Sequence, residues 1–91
     1  MTTLTLRLVL TAPFCHSLKD KRMIIRSISD KTRRKYNVSI AEVEAQDTHQ
    51  TIILGIALVS GNATHAKTVL DDVVRFIENN TEAELIRTDF L

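Results

Sequence analysis

Lys19, Arg22, Arg26 and Arg33 stand three, four and seven residues apart. At about 100° per residue these spacings gather all four into a helical stripe roughly 60° wide. Each cation can neutralise a phosphate, and an arginine can do so through two hydrogen bonds at once. A ridge of this kind grips the phosphate backbone and reads shape rather than base edges. Four such contacts predict a log–log salt slope of about −3 to −4. The stripe lies in a segment, Lys19 to Lys35, that holds eight of the twelve basic residues against only Asp20 and Asp30. That segment carries +6, and the remaining four bases against nine acids leave −5 elsewhere, so the net charge of +1 conceals a dipolar molecule. Concentrated positive charge attracts phosphate-rich surfaces, and the four residues are the candidate nucleic-acid-binding set. Lys21 and Lys31 flank the apolar side and are expected to snorkel outward to join it.

Other chemistries find less support. Cys15 and His16 are adjacent, a spacing that seldom lets a nucleophile face its base, and no acid is placed by spacing to orient the imidazole. A buried cysteine beside a histidine that ties down a helix start is the expected reading. His16, His49 and His65 form no i, i+4 pair, so no metal site is expected. The pairs Asp71/Asp72 and Glu42/Glu44 read as solvated, with Glu42 and Glu44 alternatively an acidic edge. An acylphosphatase-like anion cradle would need glycines after the first strand, and the stretch Ala12 to Ser17 has none while Pro13 removes a donor. Catalytic residues and cofactors are therefore expected to be absent.

The elements that must position the stripe are legible. Leu4, Leu6, Leu8 and Leu10 alternate with Thr5, Arg7, Val9 and Thr11, the period of a strand with one buried face, which Pro13 ends. Ser17 and Asp20 form a capping pair opening a helix whose apolar face is Leu18, Ile24, Ile25, Ile28, Thr32 and Tyr36. Asn37 is expected to close it in the left-handed conformation. Val38 to Ala45 predicts a second strand with a parity change near Ala41, the mark of a β-bulge. The polar run to Gln50 predicts a hairpin loop, in which Gln46, Asp47, His49 and Gln50 are a second set of candidate contacts. Thr51 to Val59 is apolar on both faces, as a central strand is, and Gly55 within it permits close backbone approach. Asn62 caps a second amphipathic helix that ends at Asn79-Asn80, and Ala83 to Phe90 forms the last strand. The order β-α-β-β-α-β specifies an α+β ferredoxin-like sandwich: one domain over residues 1–91, a four-stranded antiparallel sheet with two helices on one face. The third strand lacks the aromatics of an RNA-recognition motif, so RNA contact through the sheet is rejected in favour of the first helix or the loops.

The run His16-Ser17-Leu18-Lys19-Asp20-Lys21-Arg22, followed by Ala41-Glu42-Val43, Gln46-Asp47 and Gln50, resembles the YlxP-like family of small bacterial proteins of unknown function. The similarity spans essentially the whole chain, including Leu54-Gly55. Members commonly carry Leu-Trp in the hairpin loop, where this chain has Thr48-His49. The resemblance implies a ferredoxin-like fold and a setting: genes of the family often lie beside those for a transcription termination factor, translation initiation factor 2 and ribosome-binding factor A. That association favours RNA or the ribosome as partner.

Composition agrees with a globular domain: apolar residues make up 44% and aromatics 4%, too few for an aromatic base-stacking platform. A single cysteine permits no intrachain disulfide and suits a reducing cytosol. No stretch has signal-peptide or membrane-span character, so a cytoplasmic protein without a membrane partner is expected. The sheet face away from the helices should carry Thr5, Arg7, Val9 and Thr11 beside Ile53, Gly55, Ala57 and Val59, too apolar for full solvation. The leading expectation is thus a non-enzymatic RNA- or ribosome-associated accessory protein. The alternative is a homodimeric interaction module using the open sheet face or the hairpin loop.

Overall fold

The computed structural model describes residues 1–91. Strand β1 (Thr2–Thr11) leads through a short loop to helix α1 (Leu18–Lys35). Strands β2 (Ser39–Glu44) and β3 (Thr51–Ser60) form a hairpin, followed by α2 (Ala63–Asn79) and β4 (Glu84–Phe90). The sheet order is β2-β3-β1-β4 with every neighbour antiparallel, and this is the expected ferredoxin-like sandwich.

Alternation decides which side of the sheet the helices cover. Leu6, Leu8 and Leu10 pair across with Ile56, Leu54 and Ile52, and all six are buried beneath the helices. From α2 they meet Ala66, Leu70, Val73 and Ile77, and from α1 Ile28. Tyr36 and Phe76 meet edge to face with ring centroids 5.6 Å apart, joining the ends of the two helices. Lys35 lies 4.9 Å from the centre of the Phe76 ring.

Both helices start at the expected caps. Ser17 Oγ accepts from Asp20 N at 3.1 Å, and Asp20 Oδ2 reaches back to accept from His16 N at 3.0 Å. Asn62 Oδ1 accepts from His65 N at 2.9 Å. The end of α1 differs from expectation. Its C-cap is Tyr36 in extended conformation, and the sole residue of positive φ is Ala45, so Asn37 is not a left-handed cap. The Tyr36 amide still bonds Thr32 O, and the Tyr36 ring, drawn toward Phe76, takes the chain straight into β2.

The bulge in β2 falls at Val43, between Glu42 and Glu44, two residues beyond the place the parity suggested. A second register shift in β4 lies opposite Val9 and Leu10.

Thr32 is fully buried on α1, and its hydroxyl has no hydrogen-bond partner. On α2, by contrast, Thr68 Oγ1 donates to Thr64 O at 3.1 Å. An unsatisfied buried hydroxyl costs about 1–3 kcal/mol, so Thr32→Val, which keeps the shape and the β-branch, should stabilise the fold by about 1 kcal/mol. Urea denaturation measures this; a variant less stable than the parent contradicts it.

Candidate nucleic-acid interface

Helix α1 places Lys19, Arg22, Arg26 and Arg33 in solvent, as their spacing predicted. Lys19, Arg22 and Arg26 share a shallow depression of about 250 Å³ with Met23. Arg22, Arg26 and Arg33 also line a groove of about 500 Å³ between α1 and the edge strand β2, together with Ser29 and Ala41.

The four are not equivalent. Arg33 Nη2 donates to Ile40 O at 2.9 Å, and its Nη1 lies 3.6 Å from Asp30. Arg33 therefore anchors the helix to β2 and is partly neutralised, whereas Lys19, Arg22 and Arg26 make no ion pair. The stripe is also less free of acids than expected, because Asp30 and Glu42 line the same groove.

Lys21 corrects the snorkelling expectation. Its side chain is fully buried and turns inward, with Nζ donating to Ala45 O at 2.7 Å and Thr51 O at 3.2 Å. Nζ also lies 2.7 Å from Glu42 Oε2, so Glu42 is a half-buried ion-pair partner and not a solvated acid. The ammonium plugs the root of the β2–β3 hairpin, where Ala45 turns its carbonyl inward from a left-handed backbone with φ 56°. Lys31 remains exposed.

The hairpin loop divides similarly. Gln50 is structural: its Nε2 donates to Pro13 O at 3.2 Å and Cys15 O at 3.4 Å, and its carbonyl accepts from Ala12 N at 2.9 Å. Gln46, Asp47 and His49 are exposed and make no side-chain hydrogen bond. In the β1–α1 loop the amides of Cys15 and His16 are engaged by Ala12 O and Asp20, which leaves neither for an anion. Cys15 is buried and unpaired, and burial, with the Asp20 carboxylate adding to it, pushes its thiol pKa up. Nowhere do three His, Cys, Asp or Glu side chains converge as metal ligands would. No helix is long and apolar enough to cross a membrane.

Residues 3–90 match the model of a family described as "Protein of unknown function (DUF503)". This chain belongs to the DUF503 family. It is 38% identical over 76 residues to the Uncharacterized protein YlxP of Bacillus subtilis (strain 168), covering 81% of this chain and 83% of the relative. Among solved structures, a de novo designed protein with ferredoxin fold is similar at a TM-score of 0.65, covering 99% of this chain and 85% of its own, with 18% identity. That likeness concerns the fold alone.

In this DUF503 chain the open sheet face holds a group that periodicity could not reveal. Arg7 reaches from β1 over Gly55 of β3 to place Nη1 2.7 Å from Glu44 Oε1 on β2, while its Nη2 lies 3.0 Å from Asp89 Oδ2 on β4. Arg87 Nε donates to the same carboxylate oxygen at 3.0 Å. Gly55 leaves room for a neighbour on β2, since a Cβ there would sit 2.8 Å from Val43 Cγ1. Gly55→Ala should therefore destabilise by about 1 kcal/mol through overpacking. Val43→Ala in the same chain should recover it, a coupling that a double-mutant cycle reads directly.

Hydrogen bonds from Arg7 first, then Arg87, hold the Asp89 carboxyl below the usual carboxylate range, against the opposing effect of burial. The bond to Glu44 first, then that to Asp89, raises the Arg7 guanidinium further. The Asp89 contribution to stability is thus complete above the unfolded carboxylate pKa, near 3.9, and is lost as pH falls below it through the folded value. Asp89→Asn should flatten the acid limb of a stability-versus-pH curve while leaving its slope above pH 6 unchanged. An unaltered acid limb would contradict this.

Proposed function

We propose that this protein is a non-enzymatic, RNA- or ribosome-associated accessory protein that binds phosphate backbone through the exposed face of α1. The observation that carries the reading is the trio Lys19, Arg22 and Arg26: three solvent-exposed cations on adjacent turns of one rigid helix, free of ion pairs, beside the α1–β2 groove. Arg33 borders them and contributes position more than charge. The open sheet face offers no aromatic side chains for stacking, so contact falls to α1, with the exposed Gln46, Asp47 and His49 as accessory groups. The bacterial relative and the family description are neutral on function. Support comes from the charge geometry together with the gene setting that the family resemblance implies.

Three phosphate contacts correspond to a log–log salt slope of roughly −2 to −3, shallower than four equivalent cations would give. The test is co-sedimentation of the purified protein with ribosomal subunits, and with structured RNA, from low to high salt. Salt-sensitive binding that is lost when the RNA is digested supports the reading. Binding that persists after RNase treatment and ignores salt would instead favour a protein partner.

A further inference from the structure

The charges on the open sheet face form a single file. Arg87, Asp89, Arg7 and Glu44 are in contact in that order, at 3.0, 3.0 and 2.7 Å, the first two on β4, the third on β1 and the last beyond Gly55 on β2. Their signs alternate plus, minus, plus, minus. Around the file lie Val9, Ile53, Ala57 and Val59, with Val43 and Leu91 beside a groove of about 490 Å³. Val43, Val59 and Leu91 are 45%, 65% and 77% exposed, a large share for apolar side chains with no neighbour above them.

We infer that the occupant of this face is a second copy of the same chain, related by a two-fold axis that lies in the interface along the strands. The ends of the file carry opposite charges on the two edge strands, Arg87 on β4 and Glu44 on β2, so a two-fold axis that exchanges the edges sets each end against its opposite. Arg87 of each copy then faces Glu44 of the other. An in-plane axis along the line joining them would instead set Arg87 against Arg87 and Glu44 against Glu44. Arg87 is level with Val9 on β1, Val9 with Ile53 on β3 and Ile53 with Glu44 on β2, so the line joining the two ends runs across the strands; the axis that exchanges them runs along the strands and leaves the two sheets aligned, the arrangement in which sheets commonly stack about 10 Å apart. Such a contact is isologous and closed, so it stops at two copies.

The size of the face sets the strength. Four strands about 4.8 Å apart and about 25 Å long project roughly 500 Å² per copy, toward the small end of specific interfaces. The dimer is accordingly reversible and concentration-dependent. Both helices cover the opposite sheet face, so α1 lies on the outside of the dimer and its cations stay accessible. Dimer formation and RNA binding through α1 thus use opposite sides of the molecule and do not depend on each other.

Sedimentation equilibrium from about 10 µM to about 1 mM spans the relevant affinities. The wild type should pass from monomer to dimer and no further. Arg87→Glu and Glu44→Arg, both at exposed positions, should each weaken self-association at least tenfold while circular dichroism remains that of the folded protein. Mixing the two variants is the decisive arm. The acidic position 87 of one then faces the basic position 44 of the other, and the first variant's Glu44 faces the second's Arg87. Heterodimers should form with close to wild-type affinity, seen as a mixed mass by native mass spectrometry. A wild type that remains monomeric at about 1 mM, variants that dimerise normally, or a mixture no stronger than its components would each overturn the inference.

Discussion

Replacing Lys21 with methionine is expected to destabilise the protein by about 3–5 kcal/mol, because it removes the buried half of an ion pair and leaves a carboxylate and two carbonyls without their partner. Methionine fills nearly the same volume but leaves Glu42, with 18% of its side chain exposed, beside two inward-facing carbonyls, Ala45 O and Thr51 O. Against a total stability of about 5–15 kcal/mol for a domain of ordinary stability, the loss is a large fraction. Lys21→Met with Glu42→Leu should recover part of it, because the orphaned charge is gone although the carbonyls stay unpaired. Chemical denaturation of the three variants gives these differences directly. A loss under about 1 kcal/mol for the single change would mean that Lys21 leaves its cage and works at the surface after all.

The second large effect concerns binding. Arg22→Glu with Arg26→Glu should lower affinity for structured RNA at least tenfold at about 0.1 M salt and bring the salt slope close to zero. Two attractive phosphate contacts become repulsive, and only Lys19 remains of the free trio. Both side chains are exposed and unpaired, so folding should be nearly unaffected; surface changes of this kind usually stay within about 0.5 kcal/mol. Arg33→Glu makes an informative contrast. It removes the hydrogen bond to Ile40 O and places an acid near Asp30, so it should cost stability as well as affinity. Filter binding across a salt series, with melting curves for each variant, separates the two consequences. If affinity and slope ignore the Arg22 and Arg26 reversals, phosphate is not what α1 meets.

Much of this architecture was legible beforehand because it rests on local rules. The leucine alternation of β1, the Ser17–Asp20 cap and the 3.6-residue period of both helices are properties of consecutive residues, and each appears where expected. The end of α1 was not legible, because the pull of Phe76 on Tyr36 spans forty positions and overrides the local preference of Asn37. The same limit governed the candidate site. Lys19, Arg22, Arg26 and Arg33 share a helical face by spacing alone. That one of them would bond to β2, and that Asp30 and Glu42 would line its groove, depended on how α1 settles on the sheet.

By itself, then, the sequence determined the element order, the buried faces of β1 and α2 and the concentration of positive charge on α1. Each follows from periodicity and composition over neighbouring residues. Tertiary structure alone decided which charges remain free. Lys21 lies about 200° around α1 from Lys19, toward the sheet, where three oxygens from β2, the hairpin turn and β3 converge on its ammonium. Arg7 sits one residue from a buried leucine and looks in sequence like any outward side chain of a strand. Only the pairing register, which brings Gly55 beside it and Asp89 and Glu44 within reach, makes it the centre of the charge file. A charge pattern in sequence counts ions, but their partners come from segments distant in the chain, and the partners decide whether an ion supports the fold or is left to bind.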